Sequence, residues 1–194
     1  MSPQPKPRLT PEAYLALERS ADFKSEYLDG EIFAMIGASE SHNLIVINAI
    51  RELSPQLKKR PCKLYANAMR VKVDPTGLYT YPDLVVVCGK AQFDDAGPDT
   101  LLNPILIVEV LSDSIEAYDR GRKFEHHRKR ESWAEYVLIA QNRPPIDSYR
   151  RQPGQQWLLA ERDGLDGNLR LHAIDCELAL AEIDDKVDFP DGAV

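Results

Sequence analysis

Apolar residues recur along this chain in two distinct periods, and the switches between them predict an alternation of helices and strands. Val46, Ile50, Leu53 and Leu57 are spaced by four, three and four residues, the stripe of an amphipathic helix. Ser39 or Ser41 caps its start, and His42, one turn before Val46, faces inward on the same stripe. Thr10-Pro11-Glu12 opens a shorter helix running to Glu18, with Thr as N-cap, Pro at the first helical position and an acid in the first turn. Strand-type runs flank Asp29-Gly30 at Ser25 to Leu28 and Glu31 to Met35, which predicts a hairpin with a tight turn. Further strands are expected at Cys62 to Ala66, Met69 to Val73, Leu84 to Cys88 and Pro104 to Leu111, the last two separated by a loop from Ala91 to Asn103. A second helix from Tyr118 to Arg130 precedes strands at Glu135 to Ala140, Ile146 to Arg151 and Gln156 to Glu161. The tail from Asn168 adds a strand and a short helix at Leu178 to Ile183. Together these elements predict an α/β fold: a mixed sheet with helices packed on it, an N-terminal hairpin and additional C-terminal strands. Residues 1–9 read as a flexible arm, and 10–194 as a single domain.

Composition narrows the class. With 43% hydrophobic and 28% charged residues the chain has the makeup of a globular protein. Its apolar runs stop at five residues and its N-terminus lacks a signal-type apolar stretch, so a cytoplasmic protein that does not enter a membrane is expected. Cys62, Cys88 and Cys176 are odd in number and far apart, and read as structural or incidental thiols with no disulfide framework. The net charge of -7 runs against nonspecific nucleic-acid binding. Basic residues are nevertheless concentrated at Arg120, Arg122, Lys123, Arg128, Lys129 and Arg130. That run fits either a solvated helix face or a surface for a phosphate backbone.

The residues that carry chemistry interrupt apolar runs. Glu109 sits inside Ile105-Leu106-Ile107-Val108-Glu109-Val110-Leu111, a strand otherwise patterned for burial. A buried carboxylate needs a cation, a donor or a raised pKa, so Glu109 is a metal ligand, the partner of a buried Arg, or a residue at the strand's exposed end. Asp83 follows Pro82 and enters the run Leu84 to Cys88 at its start. Were these two strands neighbours, the carboxylates would lie close together, as a Mg²⁺ site requires, with the Val110 backbone carbonyl as a further ligand. Lys123 lies four residues after Asp119 and four before His127 on one helix face. It is either a lysine that orients and helps deprotonate an attacking water or an exposed residue of a basic helix. Asp119 doubles as a candidate N-cap. Glu26, before the hairpin turn, and the inward-facing His42 are supporting candidates. Catalytic motifs such as His-Glu-x-x-His or a phosphate-cradling Gly loop are absent from the sequence.

Tyr81-Pro82-Asp83, then Glu109-Val110-Leu111-Ser112, then Asp119-x-x-x-Lys123 resembles the Uma-type family of bacterial restriction endonucleases, within the PD-(D/E)XK nuclease superfamily. The resemblance extends from Glu26-Tyr27-Leu28-Asp29-Gly30-Glu31 through Ser41-His42-Asn43 to Leu178-Ala179-Leu180. It implies a restriction-endonuclease-like core in which Asp83 and Glu109 bind Mg²⁺ or Mn²⁺ and Glu26 contributes to the same site. The chain departs from the superfamily pattern at Leu111, where a lysine is expected, and the resemblance implies that this lysine has migrated to Lys123. Three readings follow: a metal-dependent nuclease acting on DNA, a non-catalytic binding module of the same fold, and a hydrolase of another phosphate ester such as RNA or a nucleotide. Cleaving both strands with one site per chain calls for a homodimer.

Overall fold

The computed structural model describes residues 8–35, 37–74, 76–95, 97–112, 116–142, 146–164 and 166–189. Most of the predicted arm, residues 1–7, therefore lies outside the described residues. The architecture is α/β, with mixed sheets flanked by helices.

Helix α1 (Pro11–Glu18) begins as its sequence dictates, the Thr10 hydroxyl accepting the Ala13 N–H at 3.2 Å. Strands β1 (Ser25–Leu28) and β2 (Glu31–Ala34) form the expected hairpin. Asp29 (φ 56°) and Gly30 (φ 88°) both take the positive φ that such a turn requires. Helix α2 (Glu40–Leu57) follows, capped by Ser39. Then come β3 (Cys62–Ala66), β4 (Arg70–Val73), β5 (Leu78–Thr80), β6 (Leu84–Cys88), β7 (Thr100–Leu101) and β8 (Leu106–Leu111). The next helical segment, 116–127, is composite: α3 (Glu116–Tyr118), a π-helical turn (Asp119–Lys123) and α4 (Phe124–His127). Strands β9 (Glu135–Ala140), β10 (Ile146–Arg151), β11 (Trp157–Arg162), β12 (Asn168–Leu171) and β13 (Cys176–Ala179) and helix α5 (Leu180–Ile183) complete the chain.

The central six-stranded sheet has the order β11-β10-β9-β8-β6-β3, and β8 and β9 are parallel. A parallel pair cannot be joined by a hairpin, so the chain crosses over through 116–127. On one face α2 lays Ile45, Val46, Ala49, Leu53 and Leu57 against Leu84, Val86, Leu106 and Val108, with β12, β13 and α5 closing the edge of that core. On the other, Val85, Val87, Ile107, Leu111 and Leu138 meet Val71, Val73, Leu78 and Leu101 of a five-stranded sheet ordered β2-β1-β5-β4-β7.

Several expectations are corrected. Strands β5 and β7 fall in stretches read as connections; at three and two residues each is too short to show a period. Strand β7 lies inside the loop expected from Ala91 to Asn103 and pairs in parallel with β4. Leu178 belongs to β13 rather than to a helix, because Leu169 opposes it across the β12–β13 ladder. The second helix starts before Tyr118 and ends at His127, so Asp119 is an interior residue and not its N-cap. Cys62 and Cys88 are not incidental thiols: the β3–β6 register sets them opposite each other and they form a disulfide, while Cys176 is free and buried. A pairing across 26 residues depends on register, which spacing does not reveal. Among the described residues, no helix is long and apolar enough to cross a membrane.

Asp184, just after α5, is buried, and burial raises its pKa from 3.8 to about 6. The folded state thus holds this proton more tightly than the unfolded chain does. The stability it contributes is complete below pH 3.8 and is lost as pH rises through 6. Asp184→Asn should stabilise the protein by about 1–2 kcal/mol at pH 7, below the roughly 3 kcal/mol of the full shift because some solvent contact remains. Denaturant midpoints for both proteins at pH 4 and pH 7 check this: the difference between them should vanish at the lower pH.

Candidate active site

The site forms where β6 and β8 part. Their register pairs Leu84 with Val108, so one residue further along the ladder Asp83 stands across from Glu109. The Asp83 carbonyl accepts the Asn67 N–H at 2.9 Å on the β3 side. On the β8 side its side chain takes over, Oδ2 accepting the Val110 N–H at 2.7 Å. Asp83 Oδ1 lies 2.9 Å from His42 Nε2, which must be the donor because a carboxylate only accepts. His42 is set by the first turn of α2, where its N–H donates to the Ser39 hydroxyl at 3.1 Å. That hydroxyl donates in turn to Gln141 Oε1 at 2.7 Å, beyond the end of β9. The Leu111 carbonyl accepts from Gln141 on the β9 side, so strand alternation turns the Val110 carbonyl to the opposite side, toward Asp83.

Lys123 closes the constellation. Its Nζ is 2.9 Å from Glu109 Oε1, 3.2 Å from Glu26 Oε1 and 3.4 Å from Asp119 Oδ1. The residue is only 5% exposed, which overturns the reading of it as an exposed lysine on a basic helix. Leu111, where the superfamily pattern has its lysine, is packed in the core between the two sheets. Glu26 reaches the site from β1 and accepts a hydrogen bond from the Thr80 hydroxyl of β5. The π-helical turn carries both Asp119 and Lys123, widening the helix where its side chains enter the site. His127 does not share that role: its ring packs 4.2 Å from the Trp133 ring centroid.

Electrostatics here are dominated by several carboxylates gathered around one buried lysine. Burial, then Asp119 and Asp83, push the Glu109 carboxyl well above the usual range, and Lys123 only partly offsets them. Asp119 is raised by burial and by Glu26, again opposed by Lys123. Burial works against charge on Lys123, yet Glu109, Glu26 and Asp119 hold its pKa well above that of a free lysine. Glu109 Oε1 and Asp119 Oδ2 are buried without a hydrogen bond of good geometry; Lys123 touches the former by charge rather than by an aligned N–H. Such under-satisfied carboxylate oxygens fit a hard divalent cation. Among the described residues, no cluster of three or more His, Cys, Asp or Glu forms a metal cage.

The predicted residues Asp83, Glu109, Lys123, Glu26 and His42 all line one cleft of about 1490 Å³. Asp119 joins them although its sequence context also allowed a cap, and the spacing Asp119-x-x-x-Lys123 was the available signal. Thr80 and Gln141 carried no signal, because each reaches the site through long-range contacts, whereas Ser39 was marked in the sequence only as a candidate N-cap of α2. The basic run divides. Arg122 and Lys129 line the cleft, whereas Arg120 is held by Glu116 and Asp147 and Arg130 lies near Asp74. It is therefore not one continuous phosphate-binding face.

A model of the Uma2 family, described as "Putative restriction endonuclease", matches residues 11–182. The chain belongs to this family. Two uncharacterized proteins of Synechocystis sp. resemble this Uma2 protein along most of their length. One is 35% identical over 156 residues, covering 80% of this chain and 88% of its own. The other is 33% identical over 176 residues, 91% of each. A crystal structure from Anabaena variabilis, described as a putative nuclease belonging to DUF820, superposes with a TM-score of 0.75 at 18% identity, covering 91% of this chain and 98% of that one. At that identity the likeness establishes the fold. The range matched by the Uma2 family contains every residue of the candidate site, from Glu26 to Gln141.

Proposed function

We propose that this Uma2 protein is a divalent-metal-dependent endonuclease that hydrolyses DNA phosphodiester bonds, working as a homodimer. The observation that carries this reading is the pair Asp83 and Glu109 where the ladder between β6 and β8 ends, with the buried Lys123 ammonium 2.9 Å from Glu109. Asp83, Glu109 and the Val110 carbonyl are the groups that would hold Mg²⁺ or Mn²⁺. When bound, such an ion lowers the pKa of a water and screens the scissile phosphate.

The remaining chemistry belongs to the chain. His42 and the Val110 N–H fix both Asp83 oxygens, so the carboxylate is oriented before any ligand arrives. Glu109, Glu26 and Asp119 favour the charged form of Lys123. Its role is to stabilise negative charge developing on the phosphoryl oxygens and to orient the nucleophile. Glu26 and Asp119 are positioning residues that act through the Lys123 ammonium. Arg122 and Lys129 supply contacts to the nucleic-acid backbone, which give affinity without sequence information. One site per chain cuts one strand, so double-strand scission uses two copies.

Calorimetric titration with Mg²⁺ and with Mn²⁺, alongside cleavage of supercoiled plasmid, tests the proposal. Wild type should bind at least one of the ions saturably and nick the plasmid. Asp83→Ala and Glu109→Ala should lose both properties while staying folded. Absence of metal binding, with and without DNA, would sink the nuclease reading in favour of a non-catalytic module. Cleavage of RNA or small phosphodiesters in place of the plasmid would move the assignment to those substrates.

A further inference from the structure

The β1–β2 register places Phe33 directly across from Glu26, on the same face of the hairpin. Glu26 is itself 3.2 Å from the Lys123 ammonium, so Phe33 is one cross-strand neighbour away from the catalytic constellation. Strand β2 is the edge of its sheet, and Phe33 is 48% exposed there. Met35, two residues on, also lines the cleft and is 40% exposed. Phe33 and Met35 together leave an apolar patch bare in the wall of this cleft, a surface that a ligand with an apolar face would cover. The same cleft holds exposed Arg122 and Lys129. A ligand suited to all three features has a flat apolar face, an attached anion and a scissile group near Lys123.

We propose that Phe33 is a stacking platform for an unpaired nucleobase, and that the substrate is single-stranded DNA or DNA with unpaired nucleotides at the cleavage point. The inference rests on the nuclease reading above and narrows its substrate class. In an intact duplex both faces of each base are covered by neighbouring bases, so a protein aromatic ring gains no stacking partner. In a single strand the base faces are free, and every base has one. Charge points the same way. Carboxylates outnumber cations in the cleft lining, and the whole chain carries -7, so the dense phosphate array of a duplex is poorly compensated. Stacking supplies affinity that the electrostatics of this cleft do not.

Fluorescence anisotropy in EDTA, with a labelled single-stranded DNA, the matched duplex and an RNA of the same sequence, measures binding apart from cleavage. The full-length protein should bind the single strand at least about tenfold more tightly than the duplex. Phe33→Ala should weaken single-strand binding by roughly 5- to 100-fold and leave duplex binding unchanged, with Phe33→Tyr retaining wild-type affinity within about threefold. A thermal melt and sedimentation of each variant accompany the titrations. Equal or tighter binding of the duplex, tighter binding of the RNA, or no effect of Phe33→Ala overturns the inference. Conversion of a dimer to a monomer by Phe33→Ala also overturns it, since Phe33 would then belong to an interface between copies. If the single strand binds through Phe33 but no metal-dependent cleavage occurs, the nuclease reading fails and the stacking site stands. If duplex is cut and Phe33→Ala cuts it equally well, the stacking site fails alone.

Discussion

Asp83→Asn is expected to lower the single-turnover rate of DNA cleavage by about 10³-fold, equivalent to roughly 4 kcal/mol of transition-state stabilisation. The substitution keeps the size and planarity of the side chain. Its amide oxygen can still accept the Val110 N–H that Asp83 Oδ2 now receives at 2.7 Å, so the parting of β6 from β8 should survive. What is lost is the negative charge opposite Glu109 and the acceptor for His42. Asp83 is only partly buried, and the stability cost should stay near 1 kcal/mol. Rate and thermal midpoint measured on the same preparation separate the two effects. A variant that melts like wild type and cuts at the wild-type rate would remove Asp83 from the site altogether.

Lys123→Met should affect folding as well as activity. Lys123 is the shared cation of Glu109, Glu26 and Asp119, and Glu109 and Asp119 are only 4% and 1% exposed. Methionine matches much of the lysine's volume but leaves those carboxylates without their cation, and breaking a buried pair from one side costs about 3–5 kcal/mol. Denaturant unfolding in EDTA should register that loss. The double variant Lys123→Met with Glu109→Gln should recover at least half of it, because the uncompensated charge is then removed together with its partner. Cleavage should fall by about 10²–10³-fold in the single variant and stay low in the double. A single variant as stable as wild type would mean that Lys123 does not neutralise this cluster.

Much of this site was legible in one dimension because charge inside an apolar run is a conspicuous violation of pattern. Glu109 in a strand whose every residue is buried, and Asp83 at the mouth of another, could be singled out from alternation alone. His42 followed from the stripe of α2 and Ser39 from N-cap chemistry. The hairpin turn was fixed locally by Asp29-Gly30, which tolerate positive φ. Short-range rules of this kind act within a few residues and are written into the residues themselves.

Other features needed the tertiary structure, since they depend on which distant segments meet and in what register. Whether Lys123 was buried or exposed turned on the approach of β1, whose Glu26 is 97 positions away in the chain, and on a π-helical turn no spacing rule anticipated. Cys62 and Cys88 became partners only through the β3–β6 ladder. The basic run looked continuous until Arg120 and Arg130 were claimed by Glu116, Asp147 and Asp74. By itself the sequence determined the longer helices and strands and the identity of the carboxylates, though not the short β5 and β7 or the bounds of the second helix, because backbone periodicity is a local consequence of residue type that needs several residues to show. Only the packing decided which cation those carboxylates share and which aromatic flanks them, because charge pairing and strand register are settled by contacts between segments far apart in the chain.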